Sequence, residues 1–305
     1  MNPVFSCTAL TAVLVGLVAT TLSAGEPRPP VRVLFCIADD ASPSFGAYGC
    51  TWTKTPAIDR LAREGVTFDR AYTPTAKCSP SRAALLTGRY PWQLGAAANH
   101  NPFFPPQFKA FTEALADAGV AVGAAGKFWS PGVAQTSEGG KRTWGIGPPG
   151  LARPSQAVAH YKEFLAALPA DKPAFFWFGS TNPHRPYARD AGLAAGKKPA
   201  DIDRVPGYWP DDEIVRRDML DYATRVEAFD AEVRALLDVL EASGQVDETI
   251  VVVTSDHGMP FPRVKGHCFE AAHRVPLIVR WPGKSAGRRV AELVSFVDLA
   301  PTLLE

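Results

Sequence analysis

Four apolar runs of strand length, each closing on charged or amide residues, constrain this chain more than any other feature. Residues 31–38 (VRVLFCIA) run into Asp39-Asp40, and residues 119–124 reach Gly126-Lys127. Residues 173–180 lead to Asn182-Pro183-His184, and residues 249–254 to Asp256-His257. Helical patterns lie between these runs. Strands alternating with helices predict an α/β sandwich around a largely parallel sheet. In such sheets ligands bind beyond the carboxyl ends of the strands, so the four polar ends are expected on one rim.

The remaining pattern fills in that sandwich. TPAIDRLAREG reads as a helix with Thr55 as N-cap, Pro56 in the first turn and Gly65 as stop. GVTFDRAY reads as a second strand, followed by a turn holding Cys78 and a short helix, SRAALLTG. FTEALADAG and AVAHYKEFLAAL are further helices, and RVPLIVRWPG a further strand. The longest helix is expected over residues 216–244. There Met219, Tyr222, Val226, Phe229, Val233, Leu236 and Leu240 step by three and four, a stripe that belongs in a core. Two Gly/Pro-rich stretches, 130–155 and 189–211, read as long loops over one face.

Composition excludes some partners. The 305 residues are 46% hydrophobic and 21% charged, enough to bury a sizeable core. A formal net charge of +1 gives no support for nucleic acid or an anionic membrane surface. The apolar run from about Ala9 to Leu22, followed by small residues and a Pro-rich spacer, reads as an export signal over residues 1–24 with a linker at 25–30. It lacks a Lys or Arg in its first residues and is short for a stable span. A periplasmic or secreted protein is expected, with no stable membrane span in the mature chain. Five cysteines with no Cys-x-x-Cys spacing indicate no disulfide framework.

The polar ends support one coherent chemistry. Asp39, Asp40 and Asp256 offer hard carboxylate oxygens suited to Ca²⁺ or Mg²⁺, and His257 adds an imidazole that Mn²⁺ or Zn²⁺ tolerates. Arg82, Lys127 and Lys265 can hold an anionic tetrahedral group, with His184 as general acid or a further anion contact. Cys78 precedes a short helix, where backbone N–H groups and the dipole favour negative charge. Transfer of a sulfuryl or phosphoryl group is what such residues serve.

The stretch CSPSRAALLTGR resembles the sulfatase signature, Cys-x-Pro-Ser-Arg followed by Thr-Gly-Arg. IADD, AGK, NPHRP, TSDHG and RVPLIVRWPG support it in family order, so the resemblance covers about residues 31–304. It implies an alkaline-phosphatase-like α/β fold and one divalent ion, usually calcium. It also implies formylglycine made from Cys78 by a maturation enzyme. Carried over, Asp39, Asp40, Asp256 and His257 match the metal ligands, with modified Cys78 as a further one. Arg82 matches the arginine that steadies the nucleophile. Lys127, His184 and Lys265 match residues that bind the sulfate and protonate the leaving group.

NPHRPY and SDHGMPFPRVKG resemble most the heparan N-sulfatase (sulfamidase) branch, which implies a sulfated amino sugar or related glycan as substrate. Departures remain. GKFWSPG places Trp129 or Ser130 where many sulfatases have a histidine, Asn182 stands where the sulfamidase branch has Asp, and His257 where many members have Asn. The chain stops after SFVDLAPTLLE, so a catalytic domain over residues 31–305 without the family's C-terminal subdomain is expected. A phosphodiesterase or phosphonate hydrolase of the same superfamily, or an inactive glycan-binding homologue, stay as alternatives.

Overall fold

The computed structural model describes residues 31–284 and 287–305; the expected export signal and linker lie outside the described residues. Among the described residues, nine strands occur in chain order. They are β1 (Arg32–Ala38), β2 (Val66–Tyr72), β3 (Phe103–Phe104), β4 (Ala121–Gly126), β5 (Val133–Ala134), β6 (Ala174–Gly179), β7 (Thr249–Ser255), β8 (Arg274–Arg280) and β9 (Arg288–Ser295). Seven form one sheet in the order β4-β6-β1-β7-β8-β2-β9, and β3 pairs with β5. Within the large sheet only β8 runs against the rest.

That reversal has a local cause. The chain leaves β7 at Ser255, turns through residues 256–273 and re-enters the sheet as β8 from the same end. Both ends of this turn therefore stay at the rim where β1, β4 and β6 finish. β2 finishes there too, because it is antiparallel to β8.

Helices cover both faces, which is why the central strands read as continuous apolar runs. The helices are α1 (Pro56–Glu64), α2 (Cys78–Thr87), α3 (Phe111–Asp117), α4 (Ala157–Ala167), α5 (Ala191–Ala194), α6 (Glu213–Ala242), α7 (Glu270–His273) and α8 (Leu299–Leu304). Side chains alternate along β1: Leu34, Cys36 and Ala38 join the core under α1, α4 and α6, while Phe35 and Ile37 join the core under α2, α3 and α8. The stripe predicted on α6 is wholly buried from Met219 to Leu240. Each such side chain contributes on the order of 1.5–3 kcal/mol. Asp212 caps this helix by accepting from the Val215 N–H at 2.9 Å, so the helix begins at Glu213, three residues before the pattern placed its start.

Two local details differ from expectation. Thr55 is the N-cap residue of α1 as expected, but its side chain makes no capping hydrogen bond. Its hydroxyl accepts from Gly46 N–H and donates to Asp59, so it is already engaged. The free N–H groups of Ala57 and Ile58 are met instead by Asp230 from α6, at 3.3 and 2.8 Å. Cys78 does not sit in a turn before α2. It is the first helical residue, with Lys77 as N-cap. The expected loops at 130–155 and 189–211 carry only short elements, β5 and α5 with single turns of 3₁₀ helix.

Candidate active site

The four polar strand ends do share one rim, because β4, β6, β1 and β7 lie side by side and parallel. At the end of β1 the backbone turns sharply. Asp40 adopts φ 75°, a left-handed conformation that Asp tolerates better than most residues. Its N–H donates to Asp256 Oδ1 at 3.0 Å, and Asp39 N–H donates to the Asn182 carbonyl at 2.9 Å. Three strand ends are thereby tied together by backbone donors.

Lys127 is placed by two glycines. A Cβ on Gly126 (φ 82°) would come within 2.0 Å of the Gly179 carbonyl oxygen, and one on Gly179 within 1.7 Å of the Lys127 carbonyl oxygen. Only glycine permits this approach of β4 to β6. Lys127 N–H then donates to Gly179 O at 2.7 Å, and its ammonium donates to both Asp39 oxygens at 2.7 Å. Lys265, from the turn between β7 and β8, donates likewise to Asp40 at 2.9 and 2.6 Å.

Cys78 is buried at the start of α2. Its sulfur lies 3.4 Å from His257 Nε2 and 3.8 Å from Asp40 Oδ1. His257 Nδ1 is satisfied by the Gly258 carbonyl at 2.9 Å, which leaves Nε2 facing the centre, 3.0 Å from Asp40 Oδ1. Arg82, one helical turn after Cys78, is fully buried. Its Nε donates to Asp256 Oδ2 at 2.9 Å and Nη1 to the Lys127 carbonyl at 2.8 Å. This guanidinium braces the centre from beneath.

Electrostatics follow from the crowding of carboxylates out of water. Burial, then the Asp256 charge, pushes Asp39 up to about 6. Burial also works against ionised Asp256, but the charges of Arg82, His257 and Lys127 outweigh it and hold that carboxyl well below its usual range. Asp40 is lowered too: its burial is outweighed by the His257 hydrogen bond and charge and by Lys265. Burial opposes a charged His257, yet the Asp256 charge and the Asp40 hydrogen bond hold it well above its ordinary value.

Asp40, Cys78, Asp256 and His257 place one donor atom each within 4.8 Å of one another, and Asp39, Cys78 and His184 form a second such group. These donors fit a divalent cation: three hard carboxylates and the His257 imidazole, with the Cys78 sulfur among them, are buried and already clustered at a cost in like-charge repulsion, and His184 stands at the edge. His267 and His273 stay outside both groups. His273 Nδ1 meets the Thr73 carbonyl at 2.9 Å, and His267 stacks near Phe269.

A cleft of about 760 Å³ opens over this centre, lined by Asp39, Cys78, Lys127, His184 and Arg185 among others. The His184 side chain is 39% exposed, with Nε2 3.8 Å from Asp40 Oδ2 and Nδ1 against the Arg185 carbonyl. Asn182 does not line the cleft. Its Nδ2 donates to Glu232 of α6 at 2.9 Å. Sequence reasoning missed His100, which lines the same cleft; partial burial, then Lys77, Lys265 and Lys127, hold its imidazole below its ordinary value. No motif marks it. Its segment, Asn99–Pro102, has neither strand nor helix periodicity.

A largely parallel sheet between helix layers, with a polar centre at its strand ends, defines an alkaline-phosphatase-like α/β protein. The sulfatase family model matches residues 32–305, and the chain belongs to that family. Human N-sulphoglucosamine sulphohydrolase is 30% identical over 99% of this chain and 64% of its own length. An ulvan-active sulfatase from Formosa agariphila is 28% identical over 94% of this chain and 53% of its own. The chain thus spans about half to two thirds of the length of these relatives. A solved structure from the glycosaminoglycan metabolism of Bacteroides thetaiotaomicron shares the fold, with TM-score 0.74 at 19% identity, covering 90% of this chain and 72% of that one. Among the described residues, no helix is long and apolar enough to cross a membrane.

Proposed function

We propose that this chain hydrolyses sulfate groups of a glycan, with a formylglycine made from Cys78 as nucleophile and one divalent ion, Ca²⁺ before Mg²⁺ or Mn²⁺, held by Asp39, Asp40, Asp256, His257 and modified Cys78. One observation carries this reading. Cys78 stands at the buried N-terminus of α2, against His257 and Asp40, and opens into the cleft that Lys127 and His184 line. A thiol there is surrounded by groups suited to an oxyanion.

Charge counting supports an anionic substrate. Asp39, Asp40 and Asp256 are matched by Lys127, Lys265 and Arg82. A bound dication, with His257 neutral as its ligand, leaves the centre with two surplus positive charges; the single negative charge of a sulfate ester offsets one of them and the released sulfate dianion both. When bound, that ion supplies Lewis-acid stabilisation of charge on the sulfate oxygens. The hydrated aldehyde of formylglycine would offer the attacking hydroxyl, and a maturation enzyme would have to make it before or during export.

The chain's own residues then have distinct tasks. Lys127 and Lys265 can turn from their carboxylates toward the sulfate once the ion neutralises Asp39 and Asp40. Arg82 keeps Asp256 ionised and in place. His184, with Nδ1 held by the Arg185 carbonyl, directs Nε2 into the cleft as proton donor to the departing oxygen. Asn182 pairs with Glu232 rather than with the cleft, so no group is set there to meet a substrate amine. O-sulfates are accordingly favoured over N-sulfates.

Mass analysis of the tryptic peptide carrying Cys78, from protein produced with a maturation enzyme, tests the central step. Conversion of thiol to aldehyde is expected; an unmodified cysteine would favour an inactive glycan-binding role. Turnover of 4-nitrophenyl sulfate should exceed that of 4-nitrophenyl phosphate, and phosphate turnover ahead by orders of magnitude would favour the phosphodiesterase or phosphonate hydrolase alternative.

A further inference from the structure

A second cavity, of about 730 Å³, adjoins the catalytic cleft, and Arg185 lines both. That guanidinium is fixed in place. Nη1 donates to Asp218 Oδ1 at 2.8 Å and Nε to the Pro260 carbonyl at 2.9 Å, with Tyr187 and Phe261 rings at 4.5 and 4.7 Å. Arg185 forms a partition between two neighbouring spaces. On its far side Tyr208, 40% exposed, supplies aromatic surface, backed by the buried Trp209 packed edge-on against it. Trp209 Nε1 donates to the Pro262 carbonyl at 2.8 Å, which anchors this wall to the turn that carries Lys265.

Charge is unevenly distributed in this second cavity. Asp218 is occupied by Arg185, Glu213 by Arg217, and Asp221 by the N–H groups of Asp190 and Gly192. Asp190 lies 3.5 Å from Arg217 and 3.9 Å from Arg189. Arg263 has no ion-pair partner among the described residues, its guanidinium lying over the Phe269 ring at 5.3 Å, and Arg189, with its side chain 94% exposed, has only that long contact. Arg263 also stands at φ 64°, a left-handed conformation a non-glycine residue holds under strain, two positions before Lys265. Although the lining balances four arginines with four carboxylates, the Arg263 and Arg189 heads stand outside close ion pairs beside the exposed Tyr208 ring, which suits an anion borne on a ring.

We propose that this cavity is a subsite for an anionic sugar adjoining the unit in the catalytic cleft. The proposal rests on the sulfated-glycan reading above and extends it from one sugar to an oligosaccharide. Tyr208 takes the C–H face of a pyranose, Arg263 and Arg189 its sulfate or carboxylate, and Asp190 accepts from its hydroxyls. An acidic peptide presents charge without the ring face.

Binding by the full chain carrying Cys78→Ala, which cannot turn over, is the test. Affinity for a heparin-derived tetrasaccharide, measured by calorimetry and divided by affinity for a sulfated monosaccharide, should fall about tenfold with Arg263→Ala and again with Tyr208→Ala. Both positions are on the surface, and circular dichroism checks their folding. A tetrasaccharide that keeps only the sulfate of the unit in the catalytic cleft, together with its uronates, and still depends on Arg263 identifies the carboxylate as the subsite anion; loss of the Arg263 dependence identifies the sulfate. An unchanged ratio in both variants overturns the subsite, as does equal affinity for a neutral tetrasaccharide or for an acidic peptide of the same charge. The parent reading is judged separately, by 4-nitrophenyl sulfate turnover in the unsubstituted chain.

Discussion

Arg82 Nε donates to Asp256 Oδ2 at 2.9 Å with both side chains fully buried, and this pair joins the helix bearing Cys78 to the end of β7. Removing one partner leaves the other's charge buried and unmatched. Arg82→Ala should therefore cost about 3–5 kcal/mol. Arg82→Lys should cost less but still destabilise, since an ammonium cannot reach Asp256 and the Lys127 carbonyl with one planar fork. Urea denaturation reads both. An unchanged midpoint for Arg82→Ala would show that the pair is not holding the centre.

If the proposed ligand set is right, Ca²⁺ should stabilise the folded chain, since those side chains converge only after folding. At roughly 100 times the dissociation constant the gain is about 2.7 kcal/mol, visible as a rise in melting temperature that a chelator reverses. Asp40→Asn should remove this response and still fold, because Asn also tolerates the left-handed backbone that Asp40 adopts at φ 75°. Identical melting curves with Ca²⁺, Mg²⁺ and chelator would argue against a metal centre.

A proton donor matters most when the departing group is a poor one. His184→Ala should lower kcat on an alkyl or sugar sulfate by roughly 10²–10⁴-fold, with a much smaller loss on 4-nitrophenyl sulfate. Equal losses on both substrates would assign His184 to binding the sulfate instead. His100→Ala is expected to change kcat/KM on the sugar sulfate, since this imidazole faces the same cleft. No change would leave it a bystander at the rim.

Asp230 gives a pH dependence unrelated to catalysis. Burial raises its carboxyl to about 6, against the opposing N–H donors of Ile58 and Ala57. The folded chain thus binds this proton more tightly than the unfolded one. The resulting stabilisation is complete below about pH 4 and lost as pH rises through about 6, on the order of 1–2 kcal/mol after solvent screening. Asp230→Asn should flatten the stability profile in that window. A profile that keeps its slope would place the titration elsewhere.

Much of the centre was legible before folding because its residues sit where a periodic pattern breaks. Asp39, Lys127, His184 and Asp256 each follow an apolar run, and the signature around Cys78 marks that residue locally. His100 and Arg263 escaped because each lies in an irregular segment with no apolar period around it. Asp230 escaped for the opposite reason. It lies within a helix whose stripe was clear, and its capping of α1 spans more than 170 positions. Thr55 had the right type and position for a cap, but its hydroxyl was taken by Gly46 and Asp59, which no local pattern reveals.

By itself the sequence determined the alternation of strands and helices, the rim on which polar residues gather and the family signature at Cys78, because each is encoded in short-range order. Tertiary structure alone decided which charge meets which. Lys127 faces Asp39 because two glycines let β4 and β6 approach, Asn182 turns to Glu232 because α6 passes behind it, and a second cavity opens because Arg185 is fixed between Asp218 and two aromatic rings. Such pairings depend on distances between segments far apart in the chain, and these exist only once the sheet has closed.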